Sequence, residues 1–402
     1  MNRISAYICG DSGGSDEFNP FKITQQDHVP EMLFLLNSAP MNVNELSSNL
    51  DIGVELVEKL LNDLSKIRAV VHQDGRWAVS FAIFSKQDID LIAERTEKPA
   101  RRLAEEIMGT GPEIEKRLLQ LTCAKQVEMK KLMLAVVGCF LLDWRSLEIL
   151  NEKNLTLCGK KEQPGGGKYI LLGKEEGVEK KLYDKVYWGS HNSNFGGFKF
   201  TSFGDHTGYR YSFPDLVWNF PDTTSQNRTD LPDWLRTNIS EAVRTFETNS
   251  LVDCGQLLLF LNKKGSFDIG HLASKLGKEK YQIEILLRLL SDMKYVTLTD
   301  EKVGLNYPVF ETQDKGAVDS AWEIVSESIE REACRYFDSL RSELAEITPI
   351  RRGIDPREIY TDIWHWVFGQ TNRIMAERGF LFDPTREREQ EGRYIAWIEE
   401  AY

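Results

Sequence analysis

Cysteine is scarce and scattered in this chain. Its 402 residues hold six, at Cys9, Cys123, Cys139, Cys158, Cys254 and Cys334, with no CxxC pair and no cysteine–histidine cluster at zinc-site spacing. With no apolar export segment in MNRISAYICGDSGG, that spread points to the reducing cytosol and a cytoplasmic location. Long apolar runs are also missing. The longest, Leu132 to Leu142, is too short to span a bilayer and is bounded by Lys131 and Asp143, so a buried helix is expected and no membrane partner. Positive charge is in deficit: 50 Lys and Arg stand against 62 Asp and Glu, for a net charge of −12. This balance argues against a general polyanion binder and leaves room only for a local basic patch. Catalytic fingerprints of the GxSxG, HExxH or dinucleotide type are absent. Pro164-Gly165-Gly166-Gly167-Lys168 fails as a phosphate loop, because Tyr169 takes the Ser/Thr place and a strand pattern follows, so a hairpin loop is expected. The expectation is a protein that is not an enzyme, with no cofactor and no metal.

What the chain does have is a pattern written twice at a constant offset of 226. Phe34 and Phe260 keep that interval, as do Leu46 and Leu272, Leu50 and Leu276, Leu60 and Leu286, Leu61 and Leu287, Ser65 and Ser291, Val70 and Val296, and Phe84 and Phe310. Gln87-Asp88 recurs as Gln313-Asp314, and no gap is needed from Leu33 to Asp88. A repeat of this kind governs any reading of the fold.

In the first copy, Pro30–Asn37 is apolar-rich and stops at Ser38-Ala39-Pro40. Val43, Leu46 and Leu50 share one face of a short helix, and Gly53 marks a tight turn. Val57, Leu60, Leu61 and Leu64 then fall at i, i+3, i+4 and i+7 of an amphipathic helix. A strand at Ala69–His72, a hairpin turn at Gln73-Asp74-Gly75 and a returning strand carrying Trp77, Val79 and Phe81 close the unit. The second copy repeats the order with a short helix at Ile269–Leu276, a turn at Gly277, the stripe Ile283, Leu286, Leu287 and Leu290, and a hairpin over Tyr295–Leu305. Beyond the hairpins, Asp88–Leu121 and Asp314–Ile347 read as long charged helices, and Arg145–Leu155 and Thr371–Leu381 as helices running into strands.

This order of elements, on Asn44-Glu45-Leu46-Ser47-Ser48-Asn49-Leu50 followed by a turn, a long helix and a hairpin, resembles the winged helix-turn-helix domain of ArsR/MarR-type bacterial transcriptional regulators. The resemblance covers roughly 28–86 and 254–312. It implies a mainly α, α+β fold with two duplicated winged units and flanking helices. The domains are then expected at 21–90, 91–173, 174–249, 250–315 and 316–402. Flanking helices make dimer interfaces in the resembled families, so the chain is expected as a single-chain pseudo-dimer. Either the twofold closes within one chain, or two chains form a homodimer with four winged domains.

The stretch 174–249 has no counterpart and is dense in aromatics and glycine. Phe198, Phe200, Tyr209, Tyr211 and Phe213 around Gly204–Gly208 suggest β-hairpins. Trp188, His191, His206, Tyr209 and Tyr211 are candidates for lining a pocket for a small-molecule effector, the alternative being a small β-layer whose aromatics are its core. His191, His206 and Asp205 are also the set an enzymatic site would need to bring together.

If the resemblance extends to function, the partner is double-stranded DNA. The second long helix would read it through Lys278, Lys280, Tyr281, Gln282 and Arg288, with Lys302 on its wing and Arg76 on the first wing touching phosphate. Tyr281 and Ile285 place apolar surface where a DNA reader is ordinarily polar. The second expectation is therefore a winged-helix scaffold that binds a protein partner.

Overall fold

The computed structural model describes residues 2–13, 15–177, 190–204, 209–210, 232, 249–263, 268–292, 295–299, 303–383 and 391–400. It is an α+β protein in which helix predominates. Among the described residues no helix is long and apolar enough to cross a membrane. Two compact units form, each from three separate segments: 1–100, 146–182 and 330–367 in the first, 101–145, 183–329 and 368–402 in the second. The linear order of segments is therefore not the order in which they fold together.

In the first unit, Val29–Ser38, Val43–Leu50 and Val54–Lys66 are helices, and Val70–Gln73 pairs antiparallel with Arg76–Val79. Local chemistry sets these boundaries. The Asn42 side chain accepts from the Glu45 N–H while the Glu45 carboxylate accepts from the Asn42 N–H, a reciprocal cap that starts the short helix. Asp51 ends it in the left-handed region at φ 56°. Asp74 and Gly75, at φ 50° and 76°, make the two-residue turn that suits the twist of a hairpin. Leu46, Val57, Leu60, Leu61 and Leu64 pack with Met32, Leu33 and Leu36 into one core. A three-stranded sheet completes the unit, with Lys168–Glu175 between Ile4–Asp11, antiparallel, and Ala82–Phe84, parallel.

The second unit follows the same plan. Residues 249–263 are helical, Ile269–Leu276 and Lys280–Asp292 are the short and long helices, and Val296–Leu298 pairs antiparallel with Val303–Leu305. Gly277 caps the short helix at φ 63°, 226 residues after Asp51. Its sheet runs Val309–Phe310, Glu391–Glu400, Phe198–Gly204, Ser190–Phe195, with Tyr209–Arg210 also on Glu391–Glu400. Here too a short strand after the hairpin pairs in parallel: Phe310 lies opposite Glu399 as Phe84 lies opposite Lys174.

Tertiary bonds keep the interval as well. Asp88 caps its helix with Ser85 and accepts from Thr348, and Asp314 makes a reciprocal cap with Glu311 and accepts from Thr122. The Trp364 indole N–H donates to the Ser146 hydroxyl at 2.7 Å, and the Asn372 amide donates to the Gly138 carbonyl at 2.8 Å. Trp364 is 226 residues after Gly138, and Asn372 is 226 after Ser146. In each unit, then, a middle segment from one half of the chain completes the hairpin-bearing domain of the other half.

Several expectations need correction. The first post-hairpin helix is not continuous but broken into Lys86–Arg95, Glu97–Gly109 and Gly111–Leu118, because Thr96, Pro99 and Gly109-Thr110-Gly111-Pro112 interrupt it. Its counterpart Lys315–Glu343 lacks such breakers between its ends and is a single helix. The apolar run expected as a buried helix is buried, and it is a π-helix over Leu134–Arg145. The strand Phe198–Gly204 pairs with Ser190–Phe195 through a turn at Gly196-Gly197, at φ 52° and 89°, while the hairpin expected around Gly204–Gly208 involves residues 205–208, which lie outside the described residues. Cys9 and Cys158 are not isolated thiols. Their Cα atoms are 5.3 Å apart and they form a disulfide that ties the first strand to the loop before the central one.

Candidate functional site

The long helix Lys280–Asp292 is anchored by Ile283, Leu286, Leu287 and Leu290, which are buried. The opposite face carries Tyr281, Ile285 and Leu289, one helical turn apart and 60, 54 and 36 % exposed. Three large apolar side chains in line on one exposed face form a ridge rather than scattered exposure. The positions 226 residues earlier are Glu55, Lys59 and Asp63, so the first long helix has a charged face there.

The basic residues expected to meet DNA are largely engaged. Lys278 Nζ lies 2.8 Å from Asp253, and Lys280 Nζ lies 3.9 Å from Glu284. The Gln282 side-chain oxygen accepts from the Glu279 N–H at 3.0 Å, so it serves the start of its own helix. Arg288 is exposed two turns further on. Lys302 lies outside the described residues. Arg76, in the first unit, donates through both terminal nitrogens to Glu45 at 3.0 and 3.1 Å and to the Pro40 carbonyl at 2.8 Å. The Asn42 N–H and the Arg76 guanidinium hold the Glu45 carboxyl below its ordinary range. A phosphate approaching Arg76 would have to displace a carboxylate already in place.

The effector candidates are only partly described. His191 is in the strand Ser190–Phe195, opposite Ser202, and Tyr209 is in a two-residue strand on Glu391–Glu400. Trp188, His206 and Tyr211 lie outside the described residues, as does Asp205. Phe198, Phe200 and Phe203 are buried, so the aromatics of this strand belong to the interior of the second unit. Among the described residues no group of three or more His, Cys, Asp or Glu is placed to hold a metal ion.

Leu289 is the member of the ridge that sequence patterning left out, although its spacing from Tyr281 and Ile285 was there to read. No family model, curated protein or solved structure matches the chain.

Proposed function

We propose that this protein is a duplicated winged-helix scaffold whose second long helix docks a protein partner. The repeated order of helix, short helix, turn, long helix and hairpin supports the winged-helix assignment. The ridge Tyr281, Ile285, Leu289 is the observation that carries the docking role. A helix read by a protein groove presents apolar anchors one turn apart. A helix read by DNA presents donors and cations to base edges and phosphates, and an apolar ridge satisfies neither. Partner proteins that fit have an apolar groove flanked by an acidic group, which would meet Arg288 at the ridge's edge.

The second reading, a DNA-binding regulator, draws on one observation: Lys275, Lys280 and Arg288 are exposed on the same domain. One experiment separates the two. The full chain is titrated with genomic DNA fragments across a salt series, and bound fragments are sequenced. The scaffold reading expects no salt-dependent, sequence-enriched binding. Enrichment of one sequence that is lost in Lys280→Ala/Gln282→Ala and kept in Ile285→Ala would establish the regulator instead.

A further inference from the structure

The second unit contains a cavity of about 290 Å³ that no part of the docking role uses. Its apolar walls are Val136, Phe140, Phe310, Val318 and Trp397. Trp397 is buried and meets Phe140, Phe310 and Trp144 with ring centroids 6.3, 6.0 and 5.7 Å apart. The cavity is thus faced by preorganised aromatic rings. Its volume is close to the lower end of the range for small-molecule sites.

One wall is the π-helix Leu134–Arg145. Sustained π-helix is rare, and where it occurs it is frequently at functional positions. The widened turn brings Val136, Phe140 and Arg145, four and five residues apart, to the same cavity.

Charge selects the occupant. Glu311, Asp314, Asp319 and Glu399 line the cavity against Arg145 and Lys315. Asp314 is committed to Thr122, Glu311 to Asn262 and Lys263, and Glu399 to Lys199. Asp319 is half-exposed at 3.8 Å from Arg145, a separation that leaves its carboxylate able to meet another cation. Two tryptophans outside the lining, Trp144 and Trp322, already carry cations on their faces. Lys199 Nζ is 4.8 Å from the Trp144 centroid, and the Arg145 guanidinium is 5.3 Å from that of Trp322. A half-exposed, loosely paired carboxylate at Asp319 beside electron-rich rings favours a positive ligand over an anion at that end of the cavity.

We infer that this cavity binds a small monocationic ligand with an aromatic or apolar body, of the aryl-alkyl ammonium class. The body packs among Phe140, Phe310 and Trp397, and the ammonium is held by Asp319 and the ring faces. This site stands independently of the docking role of the second long helix.

The test is calorimetric titration of the full chain with 2-phenylethylammonium, phenylacetate and 2-phenylethanol, which share a ring and differ in charge. The ammonium is expected to saturate at roughly millimolar concentration or below, at least about tenfold more tightly than the other two. Asp319→Asn, at a half-exposed position, should weaken it several-fold with the melting temperature kept. Val318→Trp, which fills the cavity, should remove it. Absence of saturable ammonium binding, equal binding of phenylacetate, or unchanged affinity in a folded Asp319→Asn variant would each overturn the proposal.

Discussion

Asp88 accepts hydrogen bonds from both the backbone N–H and the hydroxyl of Thr348, at 2.8 and 3.2 Å, across 260 residues of chain. Asp314 does the same for Thr122, at 2.7 and 2.7 Å. Either aspartate also caps the helix it begins. Each bond joins the hairpin-bearing domain of one half of the chain to a segment of the other half.

A double-mutant cycle tests that exchange. Asp88→Ala should cost about 2–3 kcal/mol in urea unfolding, since it strips a buried carboxylate from two donors and a cap. Asp88→Ala with Thr348→Val should show coupling of about 1 kcal/mol, while Asp88→Ala with Thr122→Val should be additive within about 0.5 kcal/mol. The reverse pattern would mean that each aspartate bonds within its own half.

Reduction of the Cys9–Cys158 disulfide removes a cross-link between positions 149 residues apart. Cys9→Ser/Cys158→Ser should lower stability by roughly 2–5 kcal/mol, chiefly by freeing the unfolded chain. Parallel denaturation with and without reductant reads this directly, and coincident curves would show that the bridge does not form in solution.

The other four cysteines differ in reach. Burial pushes the Cys123 thiol up to about 12, with Asp314 adding to the shift, and it raises Cys254 as well. Cys139 is buried, and Cys334 is half-buried. Iodoacetamide at mildly alkaline pH should therefore modify Cys334 first in the native protein, with the other three reacting only in denaturant. Peptide mass mapping after brief labelling checks the order.

The ion pair of Glu45 and Arg76 predicts a pH dependence. The folded-state pKa of Glu45 is lowered, by the Asn42 N–H foremost. Its contribution is therefore present above the unfolded value, about 4.3 for a free glutamate, and is lost as pH falls through the lower folded value. Glu45→Gln should flatten the acid limb of a melting-temperature profile and leave the slope above pH ~6 unchanged. An identical acid limb in the variant would show that the cap and the ion pair add nothing.

Packing gives a further expectation. A Cβ on Gly255 would lie 2.5 Å from the ring of Phe198. Gly255→Ala should cost about 1–3 kcal/mol through overpacking, despite the better helix propensity of alanine. A stabilised variant in thermal unfolding would place this helix further from the strand than described.

Much of the local architecture could be read from the sequence because its causes are local. The stripe Val57, Leu60, Leu61, Leu64 has one way to bury itself, and Asp74-Gly75 has one favoured turn. The exchange could not be read, because Thr122 and Thr348 are the same residue in equivalent surroundings, as are Asp88 and Asp314. Nothing in residue type says which threonine meets which aspartate. The cavity residues come from separate helices and strands, so no single motif marks them.

The segment 330–367 completes the first unit, yet it is made long after the rest of that unit. At roughly 5–20 residues per second, translation of the intervening chain takes on the order of ten seconds or more. During that time the first domain leaves the ribosome with the place for Thr348 and Trp364 empty. A nascent chain stalled before residue 330 would expose apolar surface that the finished protein hides, which makes this protein a candidate client for chaperones that bind during synthesis.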